Sequence, residues 1–153
     1  RLTLAIVGLG SYEENLGKTL DHLDLRASVR FLGWKDEAEL AEAYRHSRAL
    51  LLTSQSEGLP MVVLEAMSFG LPVFVTSVGE LPGLLTHRRE GYLIQHGQTS
   101  DMVNAIIDSF RKPGRLREMG DQARKRFEEI SVDFSIDQIS KRWQALLDSV
   151  VRN

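Results

Sequence analysis

Cysteine is absent from this 153-residue chain, which removes a disulfide framework and any Cys-based metal site. That is compatible with a reducing compartment without requiring one. Long apolar runs are also lacking. Nothing approaches the roughly 18 consecutive residues of a membrane span, and no signal-peptide pattern is visible. There is no long basic run either. Lys and Arg total 19 against 21 Asp and Glu, a formal charge of −2, which argues against nucleic acid as a main partner. The four histidines show no metal-ligand spacing, and no Ser-His-Asp or Cys-His order stands out. No internal repeat or low-complexity segment interrupts the chain. Its length suits one domain that buries about two-thirds of the surface of the unfolded chain. It starts at Arg1 and enters a strand pattern at once, so a piece of a longer protein is expected.

What is there is an alternation of short apolar runs and helical stripes. Leu2–Val7 reads as a strand ended by Gly8-Leu9-Gly10, and Leu16, Leu20 and Leu23 mark a helix over Glu13–Leu25. Val29–Leu32 is a second strand, ended by Gly33, so the unit is βαβ with parallel strands. Gly8-x-Gly10 also opens a dinucleotide fingerprint, but Glu13 holds the place of its third glycine, and a tight turn is the favoured reading. Asp36 and Glu39 have capping-box spacing ahead of a Leu40, Ala43, Tyr44 stripe. His46 at that helix end reads as a favourable cation rather than a catalyst. Ala49–Thr53 reads as a strand buried on both faces. Pro72–Thr76 and Gly91–Ile94 are further strands, and Gly70 ends the helix between them and Pro60 as its C′ residue.

Beyond that, Glu80 opens a short helix and His87-Arg88-Arg89-Glu90 reads as a solvated loop. Ser100 is expected to cap a helix with the stripe Met102, Val103, Ile106, Ile107 and Phe110, broken at Pro113-Gly114. Leu116–Phe127 is a basic amphipathic helix with Leu116, Met119, Ala123 and Phe127 inward. Its cationic face reads as solvated, with an anionic membrane surface as the second reading. Ile136, Ile139, Trp143, Leu146, Leu147 and Val150 give a last stripe. The fold class expected is α/β: a doubly wound, mostly parallel sheet with helices on both faces.

Chemistry concentrates between Ser56 and Met67. Glu57 falls in a Gly/Pro-containing turn after the Leu50–Leu52 run, and Glu65 falls eight positions on, inside a helix pattern. Strand, tight loop and helix start in that order hold anionic ligands in open α/β sheets. With the helix starting near Pro60, Glu65 lies about 7 Å along its axis at 1.5 Å per residue. A phosphate at the helix start sits between the two acids, and each acid suits a neutral hydroxyl. A nucleotide sugar has that layout, with Glu57 on the sugar and Glu65 on the ribose. The plainer reading stands beside it: Glu57 as a carboxylate favoured by the helix dipole, and Glu65 as an exposed helix residue. Backbone groups of Gly58, Leu59, Met61 and Val62 are the candidates for diphosphate and sugar contacts, whereas Pro60 has no N–H to give. Val62, Val63, Ala66 and Met67 read as core.

The run Glu57-Gly58-Leu59-Pro60-x-x-x-x-Glu65-Ala66-x-x-x-Gly70-x-Pro72-Val73 resembles the donor-site signature of the family 4 retaining glycosyltransferases, which have the two-domain GT-B fold. Val7-Gly8-x-Gly10, Val29–Trp34 and Gly91–Ile94 extend the resemblance over nearly the whole chain. It implies the C-terminal, Rossmann-like, donor-binding half of such an enzyme. It also implies that Gly33 and Trp34 face the nucleotide base, that no metal or other cofactor is used, and that the donor is a UDP-, GDP- or ADP-sugar. The acceptor implied is a glycan or lipid-linked glycan in polysaccharide biosynthesis, at a cytoplasmic site or the inner membrane face. An N-terminal acceptor domain, and an Arg and a Lys that neutralise the leaving diphosphate, belong to parts of the family's chains that precede Leu2. The chain departs from the family at Gly79-Glu80-Leu81-Pro82-Gly83, where relatives read Gly-Gly-x-x-Glu. No Asp-x-Asp is present, so a metal-bridged diphosphate site is not supported. A nucleotide-sugar epimerase of the same fold and a non-catalytic nucleotide-binding module are the alternatives.

Overall fold

Parallel pairing runs through the whole described chain. In the computed structural model, which describes residues 2–133, β1 (Leu4–Val7) pairs in parallel with β2 (Val29–Gly33). The strands β3 (Leu50–Leu52), β4 (Val73–Thr76) and β5 (Gly91–Ile94) form a second parallel sheet in that order. The chain divides into two compact units between Arg45 and His46. The last predicted stripe, Ile136 to Val150, lies outside the described residues.

In the first unit, α1 (Glu13–His22) and a 3₁₀ turn at Arg26–Ser28 carry the chain from β1 to β2. Both strands end together, where the Gly8 N–H donates to the Gly33 carbonyl at 2.8 Å. Of the predicted leucine stripe only Leu20 is buried, while Leu16 and Leu23 are 37% and 55% exposed. A two-stranded sheet is too narrow to cover a whole helix face. The capping box forms as its spacing predicts. Asp36 Oδ1 accepts the Glu39 N–H at 2.9 Å, and Glu39 Oε2 accepts the Asp36 N–H at 3.3 Å. There α2 (Glu37–Arg45) begins, burying Tyr44. Lys35 Nζ lies 2.7 Å from Glu39 Oε1. That hydrogen bond first, and the Asp36 N–H second, hold the Glu39 carboxyl below the usual glutamate range.

In the second unit β4 is the middle strand, and all four of its residues are buried. Its side chains alternate between faces. Phe74 packs into a cluster with Ile94, Met102, Ala105, Leu116 and Met119, and stacks on Tyr92 with ring centroids 5.5 Å apart. The helices that supply this cluster are α5 (Thr99–Arg111) and α6 (Arg115–Asp133). The helix α3 (Met61–Ser68) packs on α6, β3 and β4. Full burial of Phe74, Met67 and Met119 stabilises the unit by about 1.5–3 kcal/mol per side chain.

Four expectations are corrected here. The first concerns β3: it is only half-buried, with Leu51 39% exposed, because among the described residues it is hydrogen-bonded along one edge only, to β4. Next, Ser100 does not cap α5, which starts one residue earlier at Thr99 with Gln98 at its N-cap. Val103 and Ile107 of the predicted stripe are 46% and 36% exposed, and Ala105 and Ser109 are buried instead. A small rotation of the apolar stripe toward the sheet accounts for both. Last, the loop before β5 is not solvated throughout. Glu90 is fully buried, its Oε2 accepts the Thr86 N–H at 2.7 Å, and Arg89 Nε lies 3.4 Å from its Oε1.

Because Glu39 has its lower pKa in the folded state, its contacts add stability above the ordinary glutamate pKa. That stability is lost as pH falls through the depressed value. Replacing Lys35 by Ala is expected to return the Glu39 titration, followed by NMR, toward the ordinary range. Asp36→Ala is expected to lower unfolding stability by about 1 kcal/mol. An unmoved Glu39 titration in Lys35→Ala contradicts the assignment.

Candidate functional site

The helix α3 starts where its proline places it. Pro60 is the N-cap, with φ −72° and ψ 109°, and its carbonyl accepts the Val63 N–H at 3.0 Å. The hydrogen-bond ladder begins there, so the Met61 amide precedes it at the positive helix end. The far end closes as expected. Gly70, at φ +70°, donates to the Met67 carbonyl at 2.9 Å, and Leu71 donates to the Ala66 carbonyl at 3.0 Å. That pairing is the Schellman pattern.

Glu65 lies on the second turn of α3 and is half-buried. Met61 and Val62 stand one turn before it on the same side of the helix, and they are 58% and 37% exposed. Val63, Ala66 and Met67 are fully buried. The expectation that Val62 belongs to the core is therefore corrected: it lies on the open stripe with Glu65. Helical side chains lean toward the N-terminus, which aims Glu65 back along that stripe toward the helix start.

Glu57 sits on the loop between β3 and α3. It is half-buried, as is Leu59, and Gly58 is exposed. The loop is held from two sides. Ser54 Oγ donates to Glu57 Oε1 at 2.6 Å. The Ser54 carbonyl accepts Thr76 Oγ1, also at 2.6 Å, which ties the end of β3 to the end of β4. On the other side, the Glu80 N–H donates to the Gly58 carbonyl at 3.0 Å. Gly79, at φ +55°, lies so close that a Cβ there would stand 2.2 Å from the Gly58 oxygen and 2.4 Å from the Glu57 oxygen. Glu80 itself is the N-cap of α4 (Leu81–Leu84) and makes no side-chain capping bond.

Glu57, Gly58, Leu59, Met61, Val62 and Glu65 thus belong to one loop and helix at the carboxyl end of β3. Gly33 and Trp34 belong to the first unit. Gly33, at φ +67°, closes β2 with its carbonyl engaged by Gly8. Trp34 is 69% exposed. A groove of about 580 Å³ in the first unit runs past Gly10, Lys18, Arg26 and Phe31, and none of the predicted site residues lines it. Sequence reasoning missed Ser54, Thr76 and Gly79. The Ser54-x-x-Glu57 spacing was a usable signal for the first. Contacts across 22 residues, such as Thr76 to Ser54, leave no local pattern.

Among the described residues no group of three or more His, Asp or Glu is placed to hold a metal ion. No described helix is long and apolar enough to cross a membrane. Three of the five cations of α6, Arg115, Arg124 and Arg126, pair along the helix with Glu118, Glu128 and Glu129, and Arg126 also donates to the Leu84 carbonyl at 3.0 Å.

Parallel strands flanked by helices define an α/β fold of the GT-B kind, and solved structures agree. The chain superposes on TarM with a TM-score of 0.82 at 24% identity, covering 94% of this chain and 28% of TarM. It superposes equally on the Anabaena protein HepE, solved in complex with UDP, at 23% identity over 97% of this chain and 41% of HepE. Residues 1–126 match the family of glycosyl transferases group 1, and the chain belongs to that family. An uncharacterized glycosyltransferase of Haemophilus influenzae is 34% identical over 94% of the chain. The N-acetyl-alpha-D-glucosaminyl L-malate synthase of Bacillus anthracis is 30% identical over 98% of it. The chain spans 39% and 38% of the lengths of these two relatives.

Proposed function

We propose that this chain is the C-terminal, donor-binding half of a retaining glycosyltransferase of the family 4 type. The full-length protein would move a hexose-type sugar from a nucleotide sugar to a glycan or lipid-linked glycan. One observation carries this reading: Glu57 and Glu65 lie on a single loop-and-helix unit on either side of the α3 start. Backbone N–H groups of Leu59, Met61 and Val62 receive the diphosphate, where a helix N-terminus favours negative charge. Glu57 accepts a hydroxyl of the sugar, and Glu65 accepts hydroxyls of the ribose. Gly33 and Trp34 offer the base its backbone contacts. HepE, solved with UDP and with UDP-glucose, supports a nucleotide sugar as the ligand class.

Catalysis in this reading is electrostatic. As the glycosidic bond to phosphate breaks, charge grows on the diphosphate, and donors already aimed at it lower the barrier. The family's Arg and Lys, on the part of the protein that precedes this segment, add to that charge stabilisation. In this reading the acceptor domain is the family's N-terminal half. Neither glutamate is assigned as a covalent nucleophile, and no metal is invoked.

In the full-length protein, Glu57→Gln is expected to lower sugar transfer by about 100-fold, the scale of losing one aimed polar contact in a transition state, with nucleotide affinity held. Unchanged transfer contradicts the role of Glu57. The 153-residue segment alone is expected to give no transfer, and turnover by it contradicts the need for the acceptor half.

A further inference from the structure

The Glu57 carboxylate is not simply present on a loop; its orientation is set by residues from the ends of two strands. Ser54 Oγ–H is spent on Glu57 Oε1 at 2.6 Å. A short hydroxyl-to-carboxylate bond of that length is charge-assisted and strong. Ser54 is in turn fixed, because its carbonyl takes the hydroxyl of Thr76, a residue 6% exposed at the end of the buried β4. The main chain of Glu57 and Gly58 is pressed against Gly79, where even a methyl group would overlap both carbonyl oxygens. The Glu80 N–H completes the clamp on Gly58. Backbone and carboxylate are therefore held separately.

We infer that Ser54 is a positioning residue for the donor sugar: it occupies Oε1 of Glu57 and so presents Oε2 to a sugar hydroxyl, while Gly79 fixes the height of the loop. This rests on the reading of Glu57 as the sugar acceptor group. A carboxylate has about four lone-pair sites on two oxygens, and rotation about its last bond is broad and soft. Without the Ser54 hydroxyl, Glu57 samples several orientations, and the sugar loses a preorganised partner. The nucleotide part of the ligand, which in this reading does not touch Glu57, loses nothing. Ser54 thus acts on the sugar increment of binding alone.

The test uses the full-length protein and three pairs of probes: UDP-glucose against UDP, GDP-mannose against GDP, and ADP-glucose against ADP. Calorimetry gives, for the pair that binds, the ratio of the nucleotide Kd to the nucleotide-sugar Kd. In Ser54→Ala the ratio is expected to fall about tenfold, the scale of one hydrogen bond to a charged group, with the bare-nucleotide Kd unchanged within about twofold. Ser54→Thr, which keeps the hydroxyl, is expected to restore it. Adding Ser54→Ala to Glu57→Gln is expected to change nothing further, since both act through one contact. An unchanged ratio in Ser54→Ala, a parallel loss of bare-nucleotide affinity, or additive effects in the double variant each overturn the role of Ser54 and leave the donor site standing. No binding in any pair by the unmodified protein, or an unaltered ratio in Glu57→Gln, overturns the donor site itself. Gly79→Ala, scored by the same ratio, is expected to follow Ser54→Ala with a lower melting temperature.

Discussion

The hydroxyl of Thr76 on the carbonyl of Ser54 is the contact that ties the Glu57 loop to the core of its unit. It joins the end of β4 to the end of β3. β4 is the most deeply buried strand described, with Val73 and Val75 fully buried and Phe74 1% exposed. A loop tethered to such a strand inherits its rigidity. Loops left to themselves pay conformational entropy of about 1–2 kcal/mol for each residue ordered by a ligand. Here the loop is ordered by the fold's own hydrogen bonds.

The same region shows how tertiary packing and helix-end electrostatics divide the work. Val63, Ala66 and Met67 seat α3 in the core, and Pro60 sets its first residue. Met61 and Val62, which are exposed, and the half-buried Glu65 line the side of the helix left outside the core. Four of the eight residues of α3 are buried, and the candidate binding residues lie on the rest of its surface. The Gly79–Gly58 approach adds a constraint of another kind. It admits no side chain at Gly79, where a Cβ would overlap the Glu57 and Gly58 carbonyl oxygens.

Much of this was legible in the sequence, because the signals were local. The strands around Ile6, Phe31, Leu51, Phe74 and Tyr92 show as apolar runs. The Asp36–Glu39 box and the Gly70 helix end are encoded within a few residues. The loop and helix carrying Glu57 and Glu65 follow from glycine, proline and periodicity. What escaped had different causes. Glu90 is buried against local partners, the Thr86 amide four residues back and the adjacent Arg89, within a charged run whose composition reads as solvated. The exposure of Leu16, Leu23 and Leu51 depends on how many strands stand beside them, which periodicity does not report. Ser54 and its spacing to Glu57 are visible in the sequence, but the tie from its carbonyl to Thr76, 22 positions on, is not.

The relatives named above extend well beyond this segment, so the decisive measurement belongs to the full-length protein. It is a crystal structure with an intact nucleotide sugar bound. The expected density has the diphosphate on the Met61 end of α3, the ribose on Glu65, and a sugar hydroxyl on Glu57 Oε2 with Ser54 still on Oε1. A nucleotide sugar bound away from α3, or bound there with Glu57 turned from the sugar, would contradict it.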